Sequence, residues 1–382
     1  MPALASRALE CEARRSLPTE TVADFRAAGF FRLLRPARFG GWEVGLATLI
    51  EILREVGRGC GSSAWCLALF ATHNRLAGLL SDRAQREVFE QAAETPLAAV
   101  YAPSGTALQV GTGPGAGFRL SGRWQFASGC DHAGWAAVAA RVTHKSGSPI
   151  SDVRCFLVPS GDFRIDDTWF VSGLKGTGSK DVVVEDCFVP AHRALAFVDI
   201  ARGTTPGASL NPSPLFRLPV LPLLALAAGG PALGVAQAAM EIFRERERLR
   251  IGGSVTPHGT ARATSSMPLG EAVVAVDAAA LLLQRDIEDL TRRCATGERM
   301  SQAQRARYLL DGAFVVASCT RAVDRLFAVS GAGALFDAIP LQRAFRDLHA
   351  MSAHAALQLE AATERFGRIE LGLPTESPLL LI

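Results

Sequence analysis

The spacing of apolar residues changes period twice along the chain. Between residues 5 and 95 it is helical. Leu49, Ile52, Leu53 and Val56 fall on one helix face, and Gly57 and Gly59 stop that helix. Gly61-Ser62-Ser63 offers an N-cap for a second helix from Ala64 to about Leu80, and Ser81-Asp82 opens a third, Arg83 to Gln91. From 97 to 200 the period falls to two. Ala98–Tyr101, Phe118–Phe126, Ala136–Val142, Cys155–Val158 and Val182–Val189 are predicted strands between clusters of Gly, Pro, Ser and Asp. From 220 to 366 the helical period returns in four segments, about 222–250, 269–296, 302–329 and 340–366, which predict a four-helix bundle. The expectation is a mainly α, α+β protein with a helical domain over 1–96, a β-domain over 97–200, and a bundle with its preceding loop over 201–382.

One strand concentrates aromatic residues. Phe118, Leu120, Trp124 and Phe126 alternate with Arg119, Ser121, Arg123 and Gln125, the pattern of a strand with one dry face. Two residues on, Ser128 is expected on the face of Trp124 and Phe126, and Gly129 turns the chain. That face would be an aromatic wall carrying one hydroxyl, suited to a planar apolar ligand; a plain amphipathic strand ending in a Ser-Gly turn has the same pattern. Asp131 and His132 follow as a turn-stabilising pair or as catalytic groups. The glycines of 111–117 precede a strand, not a helix, and Pro114 interrupts them, so they predict a hairpin loop instead of a phosphate cradle. Residues 201–219, rich in Pro, Gly and Ser, are a connector or a lid. Residues 251–267 are expected to form a loop between the first two bundle helices.

Composition narrows the function. With 40 basic against 37 acidic residues, the net charge is +3, which gives no reason to expect nucleic acid or an anionic membrane as partner. The most apolar run, Leu218 to Ala228, contains Pro219 and Pro222 and is short for a bilayer span. The N-terminus shows no apolar signal core. Eight cysteines are scattered without zinc spacing, so no metal is expected, and a cytoplasmic location with reduced thiols is.

Three features remain as candidate chemistry. His73 sits between Phe70 and Leu76 on an apolar helix, as a satisfied core residue or a functional one. In the last segment Arg343, Asp347, Ala350 and His354 share a helix face, and Arg343 and Asp347 are spaced to pair. Before it, Ser330-Gly-Ala-Gly-Ala-Leu-Phe336 makes a glycine loop where backbone could approach a ligand.

Helices, a β-domain and a four-helix bundle, in that order, resemble the acyl-CoA dehydrogenase fold. Gly59-Cys-Gly-Ser-Ser-Ala-Trp65, Gly173-Leu-Lys-Gly-Thr-Gly-Ser-Lys-Asp-Val-Val-Val-Glu-Asp-Cys-Phe-Val-Pro190, and Gly331-Ala-Gly-Ala-Leu-Phe336 with Arg343 and Arg346-Asp347 carry the resemblance over nearly the whole chain. The true dehydrogenases place a glutamate shortly after the Arg-Asp pair; here that stretch reads Leu-His-Ala-Met-Ser-Ala-His. Trp124-x-Phe126-x-Ser128-Gly-Cys-Asp-His with the distal His354 instead resembles the two-component flavin-dependent monooxygenases, such as 4-hydroxyphenylacetate hydroxylases and the dibenzothiophene oxygenase. The resemblance implies a diffusible reduced flavin, FMN or FAD, supplied by a separate reductase. Reaction with dioxygen gives a peroxide on ring carbon C4a, which hydroxylates an aromatic, phenolic or polycyclic, substrate. It implies that Ser128 hydrogen-bonds flavin N5, His354 lies near the oxygen-reacting edge, and His73 contacts the substrate phenol. Trp124, Phe126 and Ala127 would line the flavin ring, with Ser179, Gly331 and Gly333 as weaker contacts and Arg246, Arg248 or Arg250 for a neighbouring subunit's flavin phosphate. A homotetramer is expected on the same ground. Oxidation at nitrogen or sulfur, acyl-CoA dehydrogenation, or a non-catalytic assembly role are the alternatives.

Overall fold

The computed structural model describes residues 2–90, 94–143, 149–252 and 261–375. Six helices come first: α1 Pro2–Ser6, α2 Ala8–Arg14, α3 Thr19–Ala27, α4 Leu46–Gly59, α5 Gly61–Ala77 and α6 Asp82–Phe89. Seven strands follow: β1 Leu97–Val110, β2 Gly117–Ala127, β3 Trp135–Thr143, β4 Pro149–Pro159, β5 Arg164–Asp166, β6 Lys180–Pro190 and β7 Ala194–Ala196. Short helices α7 Phe197–Arg202 and α8 Pro206–Leu210 lead to α9 Val220–Gly252, α10 Ala261–Thr296, α11 Gln302–Ala328, α12 Pro340–Ser352 and α13 Leu359–Glu370.

Helix α5 is the central element. All of its residues are buried, so it has no polar face to show a period. It packs against α4, α9, β1 and the 175–177 turn, which places one helix between the bundle and the sheet. The crossing of α4 on α9 is close because Gly57 and Gly234 leave no side chain between them; a Cβ at Gly234 would stand 2.1 Å from the Arg54 carbonyl oxygen.

The strands form one sheet in the order β5-β6-β2-β1-β3-β4-β7, with β1 and β3 parallel and the other pairs antiparallel. The 111–117 glycines are the hairpin loop between β1 and β2, as their pattern predicts. Phe118, Leu120, Trp124, Phe156 and Val182 fill a core belonging to the sheet alone, separate from the larger core shared by the helices.

Four boundaries differ from the sequence pattern. Strand β1 runs well beyond Tyr101, because a register shift between Val100 and Gly105 hides its continuity. The stretch 201–219 holds α8 and a short helical turn and is fastened at Asn211, whose amide donates to the Gly78 carbonyl at 2.7 Å; it is a connector, and none of it lines the cavity described below. Helix α10 starts at Ala261, so the expected 251–267 loop is helical at both ends, and its residues 253–260 lie outside the described part. The fourth bundle segment is two helices, broken at 353–358.

Candidate functional site

That break positions His354. Helix α12 ends at Ser352, whose hydroxyl meets Thr320 Oγ1 at 2.8 Å, and His354 sits in the turn that follows. It therefore does not continue a helix face with Arg343 and Asp347. Nor do those two form an ion pair among the described contacts. Asp347 instead accepts the backbone N–H of Leu174 at 2.7 Å, and Arg346 pairs with Glu12 at 2.7 Å.

The strand before Ser128 departs from simple alternation. Between Trp124 and Ala127, β2 spends three residues where β6 spends two, so the pair is bulged. Phe126 takes a left-handed backbone (φ 66°), and its ring swings outward to 66% exposure. Trp124 stays on the inner face, fully buried, with Nε1 donating to the Ala139 carbonyl at 2.6 Å. The expected wall is thus split by one residue. Trp124 and Ala127 belong to the sheet core, and the second ring beside Phe126 is Trp169, edge-on at 6.1 Å. Gly129 (φ 71°) turns the chain under Phe70, where a Cβ would come within 2.3 Å of the ring.

Ser128 ends a chain of hydroxyls whose direction follows from its far end. Thr177 Oγ1 donates to the Leu174 carbonyl at 2.9 Å, and a carbonyl can only accept. The Ser179 hydroxyl, 2.7 Å from Thr177 Oγ1, must then donate to it, and Ser128, 2.7 Å from Ser179, must donate to Ser179. The indole Nε1 of Trp65 donates to Ser128 at 3.4 Å. Ser128 has spent its proton and keeps one lone pair, so toward any ligand it is an acceptor.

The two histidines are fixed as opposite tautomers. His73 Nδ1 lies 3.0 Å from the Leu97 carbonyl oxygen and must carry its proton, leaving Nε2 an acceptor. His354 Nδ1 accepts the Ala356 N–H at 3.2 Å, so its proton is on Nε2, a donor. Burial pushes both imidazoles down to about 4, with His354 a lesser cause at His73, so both are neutral at pH 7. The His73 ring meets Tyr101 edge-on at 5.9 Å, and the His354 ring meets Trp65 at 5.5 Å.

These groups line one cavity of about 610 Å³. Ser128, Ser179, Phe126, His73 and His354 are all on its wall, joined by Trp65, Tyr101, Gln125, Trp169 and Arg365. Leu69, Leu221, Leu224 and Leu309 supply apolar surface. Among the described residues no carboxylate lines it. A cavity of about 300–1,000 Å³ with few, well-placed polar groups is typical of a small-molecule site. The residues suit a reduced flavin in particular: its N5–H needs an acceptor, which Ser128 is, and its flat ring system needs apolar cover, which Phe126 and Trp169 offer.

Four expected contacts lie elsewhere. Trp124 and Ala127 are inside the sheet, and Gly331 and Gly333 are in an exposed loop that does not line the cavity. Gly333 lies beside Arg246, 3.5 Å from where a Cβ would stand. Asp131 and His132 are not on the cavity wall and bond to distant segments instead of to each other: Asp131 pairs with Lys180 at 2.9 Å, and His132 Nε2 meets the Leu17 carbonyl at 2.9 Å. Trp65, Tyr101, Trp169 and Arg365 were not foreseen. A sequence cue existed for Trp65, at the end of the Gly59–Trp65 motif, but none for the others.

Comparison with known proteins shows the family. Residues 3–95 match the family model for the acyl-CoA dehydrogenase N-terminal domain, and 226–359 that for the C-terminal domain. The oxygenase subunit HsaA, a flavin-dependent monooxygenase of Rhodococcus jostii (strain RHA1), is 35% identical over 98% of this chain and 97% of its own. The oxygenase component of an FADH2-dependent resorcinol hydroxylase from a Rhizobium species is 32% identical over 96% and 91%. The crystal structure of 3-HSA hydroxylase from Rhodococcus sp. RHA1 superposes with a TM-score of 0.91 at 34% identity, over 99% of this chain and 96% of that one. An acceptor serine, a carboxylate-free cavity and this likeness over the full length converge: the chain belongs to the flavin-dependent monooxygenases of the acyl-CoA dehydrogenase fold, as an oxygenase component that works with reduced flavin.

Proposed function

We propose that the chain hydroxylates a phenolic substrate held between His73 and the flavin, using reduced FMN or FAD delivered by a separate reductase. The observation that supports this most is the pair of opposed tautomers on one cavity wall. When bound, reduced flavin activates dioxygen so that one oxygen atom can pass to an electron-rich ring. The protein's part is to hold protons at particular atoms. Ser128 accepts from flavin N5–H and keeps that hydrogen in place, because its own proton is committed to Ser179. His73 Nε2 accepts the substrate's phenolic O–H and shifts electron density into the ring. His354 Nε2–H donates toward the oxygen atom that ends as water. Leucines and aromatic rings keep bulk water from these steps.

The reductase partner and a cytoplasmic setting follow from the same reading. So does assembly. Met267, Val274 and Leu281 are exposed at seven-residue intervals on α10, a stripe without cover in the single chain. Glu271 and Asp277 are exposed on the same helix, which suits a protein interface better than lipid. The stripe supports a homotetramer or another assembly of identical chains. The exposed Gly331–Phe336 loop with Arg246 would then face a neighbour's flavin phosphate. The other two candidates, Arg248 and Arg250, have less support; Arg250 is held by Glu247 and Ser265.

The test supplies chemically reduced FMN or FAD, dioxygen and a panel of phenols, with no nicotinamide cofactor and no reductase. Hydroxylated phenol is the expected product. Hydrogen peroxide as the sole product with every phenol would contradict the proposal.

A further inference from the structure

Among the described residues Arg365 is the one permanently charged side chain on the cavity wall. It projects from α13, the helix after the turn that carries His354, and α13 packs on α11, which supplies Leu309 to the same wall. Its guanidinium makes no hydrogen bond or ion pair with any described residue. The neighbouring acid, Glu364, is mostly exposed and turned to Arg368 at 3.9 Å. Other arginines of the bundle are committed: Arg307 to Asp311, Arg285 to Asp286 and Asp311, Arg325 to Glu271. Arg365 is half-buried, and burial lowers its pKa, with the Glu364 carboxylate opposing this only in part, an unfavourable setting for a cation that no acid contacts directly. A partly desolvated guanidinium on the wall of a largely apolar cavity is the arrangement that gains most from an oxyanion, because its donors match a carboxylate in pairs.

We infer that Arg365 recognises a carboxylate on the aromatic substrate, so that the substrate class is a phenol bearing an acid group away from the ring position that is oxidised. This rests on the function proposed above and goes further, since the flavin and the two histidines require only the phenol. The same guanidinium chemistry could bind the flavin phosphate, and the experiment separates the two.

Binding of matched pairs is measured by calorimetry on the protein loaded with oxidised FMN, so that the readout does not depend on turnover. The pairs are para-hydroxyphenylpropionate with para-propylphenol, and a hydroxynaphthoate with the corresponding naphthol. Wild type should favour the acid of each pair. Arg365→Met should weaken the acids by roughly 10- to 100-fold, the scale of a lost charge-assisted bond, and leave the neutral phenols unchanged. Arg365→Lys, which keeps the charge, should recover part of the loss and guards against misfolding of the first variant. Equal binding of acid and neutral partner by wild type, or binding of neither, would overturn the assignment. So would equal loss for both in Arg365→Met, or a loss of FMN affinity not matched with riboflavin, which would give Arg365 to the cofactor phosphate. Discrimination without hydroxylation would leave Arg365 standing and remove the proposed reaction instead.

Discussion

At the scale of the residue, the chemistry depends on where a few protons sit, and the sequence does not record that. Ser128 could be singled out from its place after an aromatic strand. Its role as an acceptor comes from Thr177 and Ser179, which spend its proton through two 2.7 Å contacts. Ser128→Ala should therefore weaken binding of reduced flavin more than of oxidised flavin, whose N5 carries no hydrogen, and raise hydrogen peroxide release several-fold. Equal losses for both flavin forms, measured by titration, would contradict the account. His73→Phe keeps the ring and removes the acceptor. It should lower kcat/KM for phenols by about 10²–10⁴, the range of general-base assistance, while flavin affinity holds. An acid limb is expected as well. The folded pKa of His73 is depressed to about 4, so between there and its unfolded value near 6.5 the unfolded chain binds more protons. Stability is complete above pH 6.5 and declines as pH falls through 4, by up to about 3 kcal/mol from this residue. A pH series of Tm for wild type and His73→Phe should show the variant losing less on acidification.

At the scale of the element, periodicity identified most helices and strands but not their interruptions. The β2 bulge is one extra residue between Trp124 and Ala127, and nothing in Trp-Gln-Phe-Ala marks it, so the rule of two kept Phe126 on the buried face of Trp124, which it leaves. The break after Ser352 was likewise silent, since Ala353–Ala356 reads as good helix. Both departures occur where the chain forms the cavity, where local pattern and site geometry conflict. Helix α12 also fastens part of the cavity wall. Asp347 fixes the Leu174 N–H, and the carbonyl of Leu174 anchors the hydroxyl chain. Burial pushes the Asp347 carboxyl up to about 7. The folded state therefore binds more protons than the unfolded state from about pH 4 to 7, and Asp347 disfavours folding progressively as pH rises across that window. Asp347→Asn keeps an accepting oxygen for Leu174 without the buried charge. It should raise Tm at pH 8, and by less at pH 5; a lower Tm at both would show that the carboxylate itself is required.

At the scale of the whole molecule, the order of helices, sheet and bundle was legible because each block holds one period over many residues. The cavity was legible only in parts, since its wall combines α5, β1, β2, the 169–179 segment, α9, α11, α12, the turn after it and α13, most of which lie far apart in sequence. Trp169 and Arg365 carry no local signature, and only the fold brings them to the wall. The uncovered stripe of α10 makes a claim at this scale. Val274→Glu with Leu281→Glu should reduce the mass seen by sedimentation velocity toward that of a single chain, whereas a monomeric wild type would dispose of the assembly reading.

The most direct measurement is a single turnover of the protein with reduced flavin, a phenol it binds and isotopically labelled dioxygen, followed by mass spectrometry of the phenol. One labelled oxygen atom should appear in the ring-hydroxylated product, at a yield per flavin that falls sharply in Ser128→Ala and His354→Ala. Unlabelled product, or a yield that neither substitution changes, would contradict the account.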